Sequence, residues 1–381
     1  MTVAALLSER TESGARFLES SADRLARLCH LMAERFARGG RLIAFGRSPA
    51  ARSDARHVAV EFVHPVIVGK RALPAIGLAG EGGDIAAQVA LIAASDDVAM
   101  GFGRDCDDAV AVARERGCLT IAFAGVGAEW QFEPPTDDPY IRQELIETLY
   151  HVLWELVHVF FEHRGLLEGR SERRVHDAGA SSFLYPFLDE RENDLDAVLQ
   201  DVRRSVLMKS GEVGALREQT LTDNEFVLVD AAEALRSSFA DGGKLLALGN
   251  GGSATDAMDV VADFRARGRA AIDLTEDPGI LTAIANDIGV EAIFSRQVIA
   301  YGATGDVVLA FSTSGNSANV IHALAEARRR GLVSIALVGY DGGRVASDGL
   351  ADHVIVTRSE HIPRIQEAQA SAYHALLELA G

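Results

Sequence analysis

The chain repeats itself. RERGCLTIAFAG at 114–125 aligns with RRRGLVSIALVG at 328–339, GGRLIAFG at 39–46 with GGKLLALG at 242–249, and DDVAMGF at 96–102 with GDVVLAF at 305–311. A duplication on this scale constrains the fold more than composition does, because an architecture open to one half must be open to the other. Each matched segment is a short apolar run bounded by turn residues, the signal of a buried strand. Between the runs lie helical patterns such as ANVIHALAEARRRG at 318–331. Each half therefore alternates strand and helix and is expected to build a parallel sheet covered on both faces. The fold class is α/β, two tandem doubly wound α/β/α sandwiches. Domains are expected at 1–165 and 191–381, with a linker at 166–190, where charge, Gly, Ser and Pro mix without a period.

Composition narrows the ligand. With 48% hydrophobic residues, 381 residues are enough for two full cores. The 55 acidic and 37 basic residues leave a formal charge of −18. A field of that sign repels phosphate backbones and anionic headgroups, which argues against nucleic acid and membrane as partners. A small anion stays open, because N–H groups at a helix start act at contact distance and outweigh a screened net charge. Cys29, Cys106 and Cys118 are odd in number and lack metal-type spacing. They read as buried or idle thiols in a reducing compartment, and with no apolar stretch near the roughly 18 residues of a membrane span the chain is expected to be cytoplasmic.

Two loops suit an anion. The run KLLALG leads into NGGSATDA, so Asn250, Gly251, Gly252 and Ser253 precede a helix pattern; DVVLAF leads into STSGNSANV, with Ser312, Thr313, Ser314 and Ser317 at the next helix start. Gly lets a backbone approach a ligand closely, and hydroxyls converge there with the N–H groups that a helix start leaves unbonded. Either loop alone reads more readily as an N-cap and a tight turn. Together they follow two parallel strands and share the carboxyl edge of one sheet, where open α/β folds bind ligands.

GNGGSATDA, AIANDIG, FSRQV, GDVVLAFSTSGNSANVI, LVGYDGG and RIQEAQASAYH occur in this order. Through them the second half, roughly 220–381, resembles the phosphoheptose isomerases of the sugar isomerase (SIS) domain superfamily. These convert sedoheptulose 7-phosphate to D-glycero-D-manno-heptose 7-phosphate, usually as tetramers with zinc. The resemblance implies a five-stranded parallel sheet in each half and a phosphorylated sugar as ligand. It implies that Asn250, Ser253, Ser312, Thr313, Ser314 and Ser317 hold phosphate and nearby oxygens, and that Arg267, Asn286 and Asp287 contact substrate. Gln366 and His374 match metal ligands, the histidine doubling as an acid/base. This half departs from the pattern at Asp259 and Asp263, where the family has His and the Glu that is ligand and general base, and at Pro363, which replaces a family aspartate. An Asp for Glu exchange withdraws the carboxylate by about 1 Å, enough to cost roughly 10²-fold in rate.

The first half holds what the second lacks. DARHVAVEF at 54–62 aligns with DAMDVVADF at 256–264 and places His57 and Glu61 at the family's His and Glu positions. Gln143 and His151 in IRQELIETLYH repeat the spacing of Gln366 and His374. His57, Glu61, Gln143 and His151 form a donor set that suits zinc, with Glu61 as proton shuttle and His151 serving the sugar oxygens. The anion loops, however, have become GRSPAARS at 46–53 and GRDCD at 103–107. Complementary loss of this kind is what a fused pair would leave, the second half keeping the anion cradle and the first the metal and base of one composite site. Two alternatives stand beside it. His57, Glu61, Gln143 and His151 would be relics in an inactive half that only completes a pseudo-dimer, or Asp259, Asp263, Gln366 and His374 would form a retuned metal site with Asp263 and His374 catalytic. A rival function is a protein that binds a sugar phosphate without turning it over. The resemblance further implies an internal pseudo-dimer and a homodimer of this chain in place of the family tetramer.

Overall fold

The apolar runs LIAF, AIGL, VAMG, LTIA and WQ become β1 (Leu42–Phe45), β2 (Ala75–Leu78), β3 (Val98–Gly101), β4 (Leu119–Ala122) and β5 (Trp130–Gln131). The computed structural model describes residues 3–66, 70–80, 82–162 and 194–381. The linker expected at 166–190 lies outside the described residues. The chain divides into two compact units, Glu12–Glu212 and Met1–Thr11 with Val213–Gly381.

In the first unit all five strands run parallel in the order β2-β1-β3-β4-β5. The helices are α1 (Val3–Ala37), α2 (Pro49–Val63), α3 (Ile85–Ile92), α4 (Asp107–Glu115), α5 (Pro139–Glu162) and α6 (Leu195–Asp223), of which α1 and α6 continue into the second unit. Every residue of β1, β3 and β4 is buried. This is why these strands read as unbroken apolar runs and not as alternating ones. The two-residue period of the strand sorts the side chains between faces. Leu42, Ala44, Val98 and Met100 pack with Leu25, Met32, Leu149 and Leu153 of α1 and α5. Ile43, Phe45 and Ala99 pack with Val89 and Val110 of α3 and α4. Each large side chain buried in this way contributes about 1.5–3 kcal/mol relative to exposure.

The second unit repeats the plan. After α7 (Glu225–Ala240) come β6 (Leu245–Leu248), α8 (Gly252–Ala266), β7 (Ala271–Asp273), α9 (Pro278–Asp287), α10 (Ile293–Tyr301), β8 (Val307–Ser312), α11 (Ala318–Arg330), β9 (Val333–Gly339), α12 (Gly343–Ser347), β10 (His353–Thr357) and α13 (Ile362–Ala380). The parallel order is β10-β9-β8-β6-β7, which read from its other edge is the order of the first unit. Both expected five-stranded parallel sheets are therefore present. In each, the chain leaves the first strand in one direction and returns on its other side at the third. That reversal opens a crevice at the carboxyl ends of β1 and β3, and of β6 and β8.

Helix α5 is polar along a face that does not meet solvent: Gln143, Glu147, His151 and Glu155, four residues apart, are all buried. Glu155 is balanced by an ion pair to Lys209 of α6, and the Lys70 ammonium donates to its carbonyl at 3.1 Å. Farther along, both ring nitrogens of His158 lie 2.8 Å from carbonyl oxygens, Nδ1 from Trp154 and Nε2 from Arg71. Burial first, then Lys70, holds its pKa down at about 4. An unfolded histidine titrates near about 6.5, so between there and about 4 the unfolded chain gains a proton that the folded unit refuses. Stability is complete above about 6.5 and is lost as pH falls, by up to about 3 kcal/mol from this residue. Both tryptophans, Trp130 and Trp154, lie in this unit, so their fluorescence reports its unfolding. His158→Gln is expected to shrink the drop in urea midpoint between pH 7 and pH 5. Equal drops in the two proteins would show that His158 does not carry this dependence.

Candidate functional site

At the crevice of the second unit, β6 ends and the chain turns through Gly249, Asn250 and Gly251 into α8. A Cβ on Gly249 would lie 2.2 Å from the Ser253 carbonyl oxygen, so only glycine lets the strand end this close to the helix start. Helix α8 opens on Gly251 without a side-chain cap. Ser253 is buried in its first turn. Across the crevice, β8 delivers Ser312, and the Gly315 N–H donates to Ser312 Oγ at 3.1 Å. Gly315 has φ +63, and a Cβ there would meet the Gly342 carbonyl oxygen at 2.1 Å. Ser312 Oγ and Ser317 Oγ lie 3.4 Å apart, and Ser317 begins α11 without capping it. The loops are tied by a reciprocal amide pair, Asn250 Nδ2 to Asn319 Oδ1 at 3.0 Å and Asn319 Nδ2 to Asn250 Oδ1 at 2.8 Å. Thus two helix starts whose N-cap residues make no side-chain cap, and two neighbouring hydroxyls, are held at one sheet edge, with the Val320 N–H of α11 given to Asn319 Oδ1 at 2.9 Å and the remaining first-turn groups left to face a small anion.

At the same edge of the first unit the helix starts are already occupied. Ser48 caps α2, accepting from Ala51 N–H at 3.3 Å, and Pro49 has no N–H to offer. Helix α4 opens with Asp107 and Asp108, and Asp108 Oδ1 takes the Ala109 N–H at 2.7 Å. The guanidinium of Arg47 is held by both oxygens of Asp108 at 2.8 Å. Carboxylates already occupy the positive end of α4, so the structure gives a geometric reason for the altered loops at 46–53 and 103–107.

What the first unit does assemble lies where α2 and α5 pack. His57 and His151 face each other with their Nε2 atoms 3.3 Å apart, and Glu61 Oε1 lies 3.9 Å from His57 Nε2. Glu147, one turn before His151, completes a buried His/Glu/His group with one ligand atom from each residue, all within 4.8 Å of one another. The expectation from the sequence contained His57, His151, Glu61 and Gln143 but not Glu147. Gln143 is buried one turn farther up α5, and its Nε2 has no hydrogen-bond partner among the described residues. This group could hold a metal ion. A tetrahedron of bonds about 2.0–2.1 Å long has edges of about 3.3 Å, which the two imidazole nitrogens match. Burial, and then the neighbouring His151, push His57 well below the usual histidine range, so it is present as the neutral ring that ligates. Behind it, the Tyr150 hydroxyl lies 3.0 Å from His57 Nδ1 and also hydrogen-bonds Asp54. Burial raises the Asp54 carboxyl, and the bond from Tyr150 opposes that shift.

The corresponding helices of the second unit, α8 and α13, place His374 Nε2 3.7 Å from Asp263 Oδ2. Burial raises the Asp263 carboxyl, opposed by His374 and Arg267. Asp259 and Gln366 are buried on the same two helices. Arg267 ends α8, about 20 Å along the helix from Ser253, and donates to the Leu377 carbonyl at 2.8 Å. Asn286 and Asp287 bond each other at 2.7 Å at the exposed end of α9. Thr313 and Ser314 lie in the β8 loop, half-buried. The three thiols are free and buried, with Cys118 pushed up to about 11 and Cys106 to about 12 by burial, which leaves them unreactive near neutrality.

The SIS domain family matches residues 210–339. The phosphoheptose isomerase of Thermodesulfovibrio yellowstonii is 43% identical over 170 residues, which cover 43% of this chain and 84% of that protein. The chain belongs to the phosphoheptose isomerase family. The Geobacter sulfurreducens phosphoheptose isomerase is 47% identical over 154 residues, covering 39% of this chain and 80% of its own. Both matches end well short of the full chain, so family membership rests on one half. A solved structure, the C-terminal domain of glucosamine-fructose-6-phosphate aminotransferase from Francisella tularensis, covers 100% of this chain and 95% of that one, with a TM-score of 0.62 and 11% identity. That likeness is one of fold and extends it to the half that the isomerases do not reach. Among the described residues no helix is long and apolar enough to cross a membrane.

Proposed function

We propose that the chain is a phosphosugar isomerase that interconverts sedoheptulose 7-phosphate and D-glycero-D-manno-heptose 7-phosphate by proton transfer through an enediol. The observation that carries this reading is the pair of helix starts without side-chain caps at the β6 and β8 ends, joined by Ser312 and Ser317, in a half 43% identical to a phosphoheptose isomerase. Ser253, Ser312, Thr313, Ser314 and Ser317 hold the phosphate, with Asn250, Gly251 and Gly252 shaping the loop. For the proton transfer the chain offers a carboxylate beside an imidazole in each unit, Glu61 near His57 in the first and Asp263 near His374 in the second, and the carboxylate would carry the proton between C1 and C2. Because Glu147 supplies a carboxylate to the imidazole pair, Glu61 is available for this transfer. Zinc held by His57, Glu147 and His151 would supply electrophilic polarisation of the substrate carbonyl. The free thiols suit a reducing, cytoplasmic setting.

A binder without turnover is the second reading, favoured by Asp259 and Asp263 at positions where the family resemblance calls for His and Glu. Incubation with sedoheptulose 7-phosphate in deuterated water separates the two. Isomerisation places deuterium at the transferred carbon, visible by NMR. Tight binding with no deuterium at C1 or C2, with zinc supplied, would leave only the binder.

A further inference from the structure

We propose that Gln369 is a specificity-determining residue of the anion-binding crevice, its side-chain amide set to bind two neighbouring hydroxyls on the carbon chain that a phosphorylated sugar carries beyond its phosphate. This deepens the function proposed above and rests on it. Gln369 lies in the middle of α13 and is 0% exposed. A primary amide has two hydrogens to donate and an oxygen that accepts. Neither Nε2 nor Oε1 of Gln369 has a hydrogen-bond partner among the described residues. A buried amide left in that state costs stability, whereas an apolar side chain of the same shape would not. A glutamine at such a place therefore points to a polar group that arrives from outside the chain.

Its position tells which group that is. Helix α13 follows β10, so it starts at the carboxyl edge of the parallel sheet, the edge at which β6 and β8 end in the anion loops. Ile365 and Tyr373, four residues to either side of Gln369, share its face of the helix. A Cβ on Gly339 would lie 2.7 Å from Ile365 Cδ1 and 2.4 Å from the Thr313 carbonyl oxygen, so Ile365 packs at the level of the β8 loop. The Tyr373 ring meets that of Phe311, the residue before Ser312, at 90° with 5.7 Å between centroids. Gln369 thus stands one turn from each of two contacts that bracket the end of β8. Gln366 lies three residues before it on the same face, and His374 five residues after it, beside Asp263 of α8. The amide is therefore placed between the β8 loop and the Asp263–His374 pair, where the carbon chain of a ligand anchored by its phosphate extends. Adjacent hydroxyls suit it there, one accepting from Nε2 and the other donating to Oε1.

Calorimetric titration of the full-length protein with sedoheptulose 7-phosphate and, separately, with inorganic phosphate tests this without reference to turnover. Gln369→Met, close in shape but unable to replace the amide's hydrogen bonds, is expected to weaken the sugar phosphate at least about 10-fold and to change inorganic phosphate by less than about 2-fold, because the anion loops are untouched. Its thermal midpoint is expected to stay level or rise, since a buried amide without a partner has been removed. Far-UV circular dichroism checks folding, and Gln369→Leu takes its place if the methionine variant does not fold. Wild-type affinity for the sugar phosphate in a folded variant would overturn the inference while leaving the proposed function standing. So would a parallel loss of both ligands, which would make Gln369 a support of the loops and not a reader of the sugar. No sugar phosphate bound by wild type would overturn the proposed function and this inference with it.

Discussion

Glu61→Gln is expected to lower kcat by about 10²–10⁴-fold, the range lost when a general base is removed, with KM for the sugar phosphate little changed. Glutamine preserves the size of the side chain on the buried face of α2 but cannot accept a proton from carbon. The rival proton acceptor is Asp263, whose carboxyl is raised by burial and lies 3.7 Å from His374. Asp263→Asn therefore belongs in the same experiment. Turnover lost in Asp263→Asn and kept in Glu61→Gln would assign the chemistry to α8 and α13 of the second unit. Loss in Glu61→Gln alone would assign it to the first.

Gly315→Ala should weaken anion capture at least about 10-fold and cost about 2–5 kcal/mol of stability. Its φ of +63 is a left-handed conformation costing an L residue about 1–2 kcal/mol, and the added Cβ would lie 2.1 Å from a backbone oxygen, an overlap worth about 1–3 kcal/mol more. The atom in the way belongs to Gly342, the residue just before α12, so relief requires moving backbone. The Gly315 N–H would lose its bond to Ser312 Oγ, and the Ser312–Ser317 pair would open. Calorimetric titration with sugar phosphate should show at least about 10-fold weaker binding, the effect of losing about 1.4 kcal/mol of contact. Gly242→Ala is the control, because Gly242 is also left-handed, at φ +81, but faces open space. Equal effects of the two substitutions would mean that close packing of the loop does not set its affinity.

Much of the anion cradle is legible in the chain because its determinants are local. Gly-rich and Ser-rich turns after buried runs carry their own geometry, and parallel strands place them on one edge. The buried His/Glu/His group is less so. His57 and His151 stand out by their spacing, but Gln143, Glu147 and His151 share one helical stripe, and nothing in the stripe says which of its members meets α2. The repeat at four residues was a sufficient signal to include Glu147 among the candidates. Tyr150 and Asp54 had no such signal, since a tyrosine beside a histidine reads as core.

Two related α/β units in tandem, the course of their strands and the turns that suit an anion can all be read along the chain. These follow from apolar periodicity and turn chemistry, which act between residues close in the chain. That Glu147 joins the two histidines, that Tyr150 stands behind His57, and that Asp108 and Ser48 occupy the helix starts of the first unit emerges once the chain is folded. Those outcomes depend on the depth and angle at which α2 meets α5 and on how each loop returns across its sheet. Interlocking side chains from distant segments set both, and no local pattern encodes them.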